Sequence, residues 1–172
     1  IPCNGTNGSA SAGVALIART GWSVKQLTSD MVGFDIPTSA HFGFWLSEGV
    51  FNGGFVIVVL YLEDSIGLAH PNTKYMDQVA MALYAIGKPF VLLADWNMNP
   101  DVLRNSGWLQ GIKGFVVEPG RSTCHCKGAA KTYDYAICSS HWNVKPVAML
   151  VEQWTCSPHT AVLFQTRARQ PE

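Results

Sequence analysis

Apolar residues in this chain gather into short dense runs separated by Gly, Pro, Asn and Ser, the pattern of buried strands rather than of long helices. Residues 13–19 (GVALIAR) and 41–46 (HFGFWL) each read as such a strand. The run Phe55-Val56-Ile57-Val58-Val59-Leu60-Tyr61 is apolar at both alternating sets of positions, which suits a strand covered on both faces. After Pro71-Asn72-Thr73, Met76, Val79, Ala80, Leu83 and Ile86 recur at helical spacing until Gly87, and 89–94 (PFVLLA) forms another buried strand. Strand, amphipathic helix and strand over about 40 residues fit a crossover unit, with the pairing of its two strands left open.

Beyond Asp95 the chain turns through Asn97-Met98-Asn99-Pro100, where Asn99 is placed to cap and Pro100 to open a short helix reaching Asn105. Short strands follow at 114–117, 133–138, 144–151 and 161–166. The opening Asn/Gly/Ser stretch has nothing large and apolar, so 1–12 is expected to be a flexible loop. The whole is expected to be one α/β domain over 1–172, a layered α/β sandwich.

With 48% hydrophobic and 14% charged residues, the composition excludes a disordered chain. Twelve Lys+Arg balance twelve Asp+Glu, so no strong positive field draws the chain to a polyanion, and nucleic acid is not an expected partner. No apolar run approaches the roughly 18 residues of a membrane-spanning helix. Cys124-His125-Cys126 places three metal-ligand types in a row, yet adjacent residues of an extended chain alternate faces, which argues against zinc.

Three polar islands interrupt the apolar strand ends. In Ala94-Asp95-Trp96-Asn97, a carboxylate and a carboxamide two residues apart can point the same way, a geometry suited to gripping a water and a phosphate oxygen. Asp134 in Tyr133-Asp134-Tyr135 enters an apolar strand and needs a partner, because an unpaired buried charge is costly. His159 in Ser157-Pro158-His159, at the start of the last strand, is the natural candidate. Trp96 and Trp142 flank polar turns, where an exposed ring would mark an interface.

From about Gly13 to Phe164 these ordered motifs resemble the endonuclease/exonuclease/phosphatase superfamily of metal-dependent phosphodiesterases and phosphatases. The resemblance implies a four-layer α/β sandwich lacking its first strands. It implies that Asp95 activates the attacking water, that Asn97 and Tyr61 contact the phosphate, and that Asp134 orients a catalytic His159. Two departures bear on activity. The strands that would carry an Asn and a metal-binding Glu upstream of Gly13 have no counterpart, and Pro158 stands where the family's Ser-Asp-His motif has Asp.

Magnesium needs several oxygen ligands. The expectation is therefore a non-catalytic binding or structural subunit of a larger assembly, with no cofactor and with other protein subunits covering the exposed sheet edge. The alternative is a Mg²⁺-dependent phosphodiesterase or phosphatase whose metal-binding Glu lies upstream of Ile1.

Overall fold

The computed structural model describes residues 2–4, 10–49, 52–126, 128–142 and 145–167. Its long apolar run is strand β5 (Phe55–Tyr61), at the middle of a six-stranded sheet, in an architecture opened by a short ribbon of β1 (Pro2–Asn4) and β2 (Ala10–Gly13). Antiparallel to β5 on one side lies β4 (Phe42–Ser47), followed at the edge by β3 (Val24–Gln26), with α1 (Ser29–Val32) between β3 and β4 in sequence. On the other side α2 (Asn72–Ile86) returns the chain to β6 (Phe90–Asp95), which pairs with β5 in parallel; the crossover joins direct neighbours. Gly87 ends α2 in the left-handed conformation, a backbone state that a side chain would disfavour.

Asn99 caps α3 (Pro100–Asn105) by accepting a hydrogen bond from the Asp101 backbone N–H. After α4 (Trp108–Gly111) comes β7 (Gly114–Val117), the far edge of this sheet. The second, four-stranded sheet contains β8 (Cys124–Cys126) and β9 (Ala129–Lys131). Between them and the rest of that sheet in sequence, β10 (Asp134–Ser139) inserts into the first sheet between β6 and β7. The long hairpin β11 (Lys145–Cys156) and β12 (His159–Arg167) completes the second sheet.

The two faces of the first sheet are unequally covered. On the helical side, Met76, Val79, Ala82 and Leu83 of α2 pack with Phe42, Phe44, Val56, Val58, Leu60 and Leu92 in an extensive core. Between the sheets, the buried cluster is Val117, Ala136, Cys138 and Ala148, flanked by half-covered Leu93, Val162 and Phe164. One edge of β12 is bonded to β11 along its length, while β8 meets the other edge at the single pair His159 and Cys124. No described strand pairs with the 161–167 portion of that edge. It borders a cleft of about 520 Å³ against the ends of β5 and β6.

Two readings of the sequence need correction. The 13–19 run is not a buried strand: past Gly13 it has no regular structure, and Ile17 is 97% exposed. Val14 and Ala15 lie along the open cleft, and among the described residues no strand pairs with this segment, so its apolar pattern has no ladder to join. The stretch read as loop over 1–12 contains the paired strands β1 and β2, because a ribbon of small residues needs only backbone bonds.

Candidate active site

Parallel pairing of β5 with β6 brings the carboxyl ends of both strands to the same rim. Tyr61 lies opposite Asp95 on that rim, and antiparallel β10 places Asp134 opposite Asp95 on its other side. A row of Tyr61, Asp95 and Asp134 across three neighbouring strands thus follows from register alone. The second sheet supplies the fourth member: His159, the first residue of β12, approaches from above, with its Nδ1 2.8 Å from Asp134 Oδ2. The potential ligand atoms of Asp95, Asp134 and His159 all lie within 4.8 Å of one another. All three residues are half-buried in the wall of the cleft.

Electrostatics in this row are strained in a way that bears on chemistry. Burial, followed by the negative charge of Asp134, raises the Asp95 carboxyl to about 6; the His159 ring and the N–H of Asn97 pull the other way. Asp95 therefore gains or loses its proton close to neutral pH, as a general base should. Asn97 adopts a left-handed backbone (φ 49°), donates its N–H to Asp95 Oδ1 at 3.3 Å, and ties its side-chain amide to the Leu62 carbonyl at 2.7 Å. Its carboxamide thereby braces the end of β5 beside the site.

Other residues, with no periodic signal in the sequence to mark them, hold the row in place. The Thr123 hydroxyl, fully buried, accepts hydrogen bonds from the backbone N–H groups of Tyr133 and Asp134, each at 2.9 Å. Trp96 is also fully buried, so it marks no interface: its indole stacks on Tyr135 and donates to the Tyr135 carbonyl at 2.9 Å, locking the Asp95 turn to β10. Trp142 packs against Phe55 with ring centroids 5.2 Å apart.

Beyond Tyr61, His41 stacks on Tyr75 and lies 3.9 Å from the carboxylate of Glu63. Asn72, which the sequence suggested only as a helix opening, is wholly buried and bonds both the N–H and the C=O of Glu63, as well as the Gly67 carbonyl. An isolated Asn or Thr at a turn looks like any other polar turn residue until its burial is known. Pro158 offers no oxygen to the cluster by side chain, but its carbonyl accepts the His125 N–H at 2.9 Å and so fastens β8 beneath His159.

No protein-family model and no curated protein matches the chain. Solved structures do. The endonuclease domain of TRAS1, a telomere-specific non-LTR retrotransposon, superposes with a TM-score of 0.68 at 12% identity, covering 88% of this chain and 70% of that one. CdtB, the biologically active subunit of cytolethal distending toxin, superposes at 0.51 with 15% identity, over 73% of this chain and 52% of its own. The human Nocturnin catalytic domain gives 0.52 at 17% identity, over 76% and 54%. These neighbours are members of the endonuclease/exonuclease/phosphatase superfamily, and the chain has that superfamily's α/β fold. It spans little more than half the length of the toxin subunit and of the Nocturnin domain.

Proposed function

We propose that this chain carries the hydrolytic half of a divalent-cation-dependent phosphoesterase. The observation that supports this reading is the convergence of Asp95, Asp134 and His159 from three strands of two sheets within 4.8 Å. A site that serves only to bind a protein has no need for two half-buried carboxylates side by side, with one of them raised to about 6.

The residues fit a cation in charge and are short of one in number. Asp95 and Asp134 would offer it carboxylate oxygens, offsetting the burial and, after it, the Asp134 repulsion that raise Asp95. Mg²⁺ takes roughly six oxygens, so water, substrate phosphate and further polypeptide seated in the open cleft would complete the shell. When bound, the cation would polarise the phosphoryl group as a Lewis acid. The chain's own groups do the rest. Asp95, above its pKa, accepts a proton from the attacking water. His159, held by Asp134 through Nδ1, presents its other ring nitrogen to the phosphoryl oxygens and stabilises the charge that builds there. Tyr61 flanks the same rim as a phosphate contact, and Asn97 braces that rim through the Leu62 carbonyl.

A second reading, a non-catalytic subunit of an assembly, is favoured by Pro158, which removes one carboxylate, and by the β12 edge, which a partner protein would cover. One assay separates the two. With Mg²⁺, the full chain is expected to hydrolyse bis-nitrophenyl phosphate or cut nicked or abasic DNA, with Asp95→Ala slower by roughly 10²-fold or more. Equal inactivity of both proteins, with folding verified by circular dichroism, favours the second reading.

A further inference from the structure

Cys124 and Cys126 occupy positions i and i+2 of β8, which places both side chains on one face of the strand. Their sulfurs are 3.4 Å apart. The two differ in access: Cys124 is 1% exposed, whereas Cys126 faces solvent. His125 between them points to the opposite face, where it lines a separate cavity with Arg121 and Glu152. Among the described residues, the metal-competent group of three is the Asp95 cluster, and it includes neither thiol.

We propose that Cys124 and Cys126 are an oxidisable dithiol, which hydrogen peroxide converts to a reversible disulfide and whose closure shifts the neighbouring Asp134–His159 pair. The exposed Cys126 reacts first: its sulfur bonds one peroxide oxygen, the O–O bond breaks, and one water leaves a sulfenic acid behind. The Cys124 sulfur then displaces that oxygen as a second water. Two thiols lose two hydrogens in all, and one peroxide becomes two waters.

Extended residues two apart rise roughly 6.6 Å, near the upper end of the Cα separations that disulfides span, so the bridge forms by puckering β8. A bridge under such strain is readily reduced, which makes it reversible. Puckering is felt at the site because β8 and its approach are bonded into it. The His125 N–H binds the Pro158 carbonyl at 2.9 Å, the Thr160 N–H binds the Thr123 carbonyl at 2.7 Å, and the Thr123 hydroxyl holds the Asp134 backbone.

The test uses the full chain, reduced and then treated with hydrogen peroxide. Trypsin cleavage at Arg121 and Lys127 isolates residues 122–127, with both thiols in one short peptide. That peptide is expected to lose the mass of two hydrogens, to resist alkylation, and to recover both properties with dithiothreitol. In the intact protein, the His159 imidazole resonances, assigned with a His159→Gln variant, should move on oxidation and return on reduction. Cys126→Ser should abolish both responses, while Cys138→Ser leaves them unchanged. Oxidation of Cys126 to sulfinic acid with Cys124 still alkylatable, a bridge from either residue to Cys3 or Cys156, or a closed bridge with unmoved His159 resonances would each overturn the proposal.

Discussion

At the scale of single residues, Asp95 links protonation to stability and, under the proposed function, to chemistry. Its folded pKa, about 6, lies above the ordinary 3.8, so the native state holds an extra proton between those values. Folding stability then falls as pH rises through that window, and the loss is complete above it. Replacing the carboxylate by a neutral isostere removes this cost. Asp95→Asn is expected to be more stable than the parent by about 1–2 kcal/mol at pH 8, allowing for partial solvent screening, and nearly equal to it at pH 4. Urea denaturation at the two pH values checks this. If the chain is the phosphoesterase proposed above, the same variant should be inert in hydrolysis, a trade of stability for function common at active sites. Under that proposal, activity of the parent should climb as pH passes 6, and Asp134→Asn should move that limb to lower pH, since the Asp134 charge is the second cause of the shift. Asp95 and His159 could be singled out in the sequence by their motifs; the raised carboxyl could not, because it depends on burial and on a neighbour 39 residues away along the chain.

At the scale of elements, two buried polar side chains fix the segments that carry the site. Thr123 leads into β8 and satisfies two backbone N–H groups at the start of β10. Thr123→Val keeps the shape and leaves both unpaired, with an expected loss of about 2–4 kcal/mol in equilibrium denaturation. Asn72 opens α2 and closes the 63–67 loop through three hydrogen bonds. Asn72→Ala should cost a similar amount, about 2–4 kcal/mol, and loosen the loop that carries Glu63, seen as faster amide exchange there. Elements themselves were legible wherever a period was sustained, as in α2, β5 and β6. The three-residue strands β3, β8 and β9 carry no readable period, since their side chains are mostly exposed and pairing alone defines them. The 13–19 run failed in the opposite sense, being apolar with no described partner strand.

At the scale of the whole molecule, the two sheets differ in how well they are buried. β5, β6 and β10 lie inside a six-stranded sheet with helices packed on one face, while β12 has one long edge without a described strand partner. Amide hydrogens of β5 and β6 are therefore expected to exchange only through global unfolding, and those of β12 roughly tenfold faster or more, measurable by hydrogen–deuterium exchange with mass spectrometry. Protein that covers the β12 edge should slow the second set and leave the first unchanged. The sequence by itself determined the α/β class and the strand–helix–strand unit around α2, and it marked Asp95, Asn97, Asp134 and His159 as candidates, because hydrophobic period and short motifs are local properties of a chain; Tyr61 was implied only by the family resemblance. Tertiary structure alone decided that β5 and β6 run parallel as neighbours, that β10 inserts beside β6 with Asp134 facing Asp95, and that the second sheet leaves a cleft at their rim. Those are matters of strand pairing between distant segments, and no local pattern specifies them.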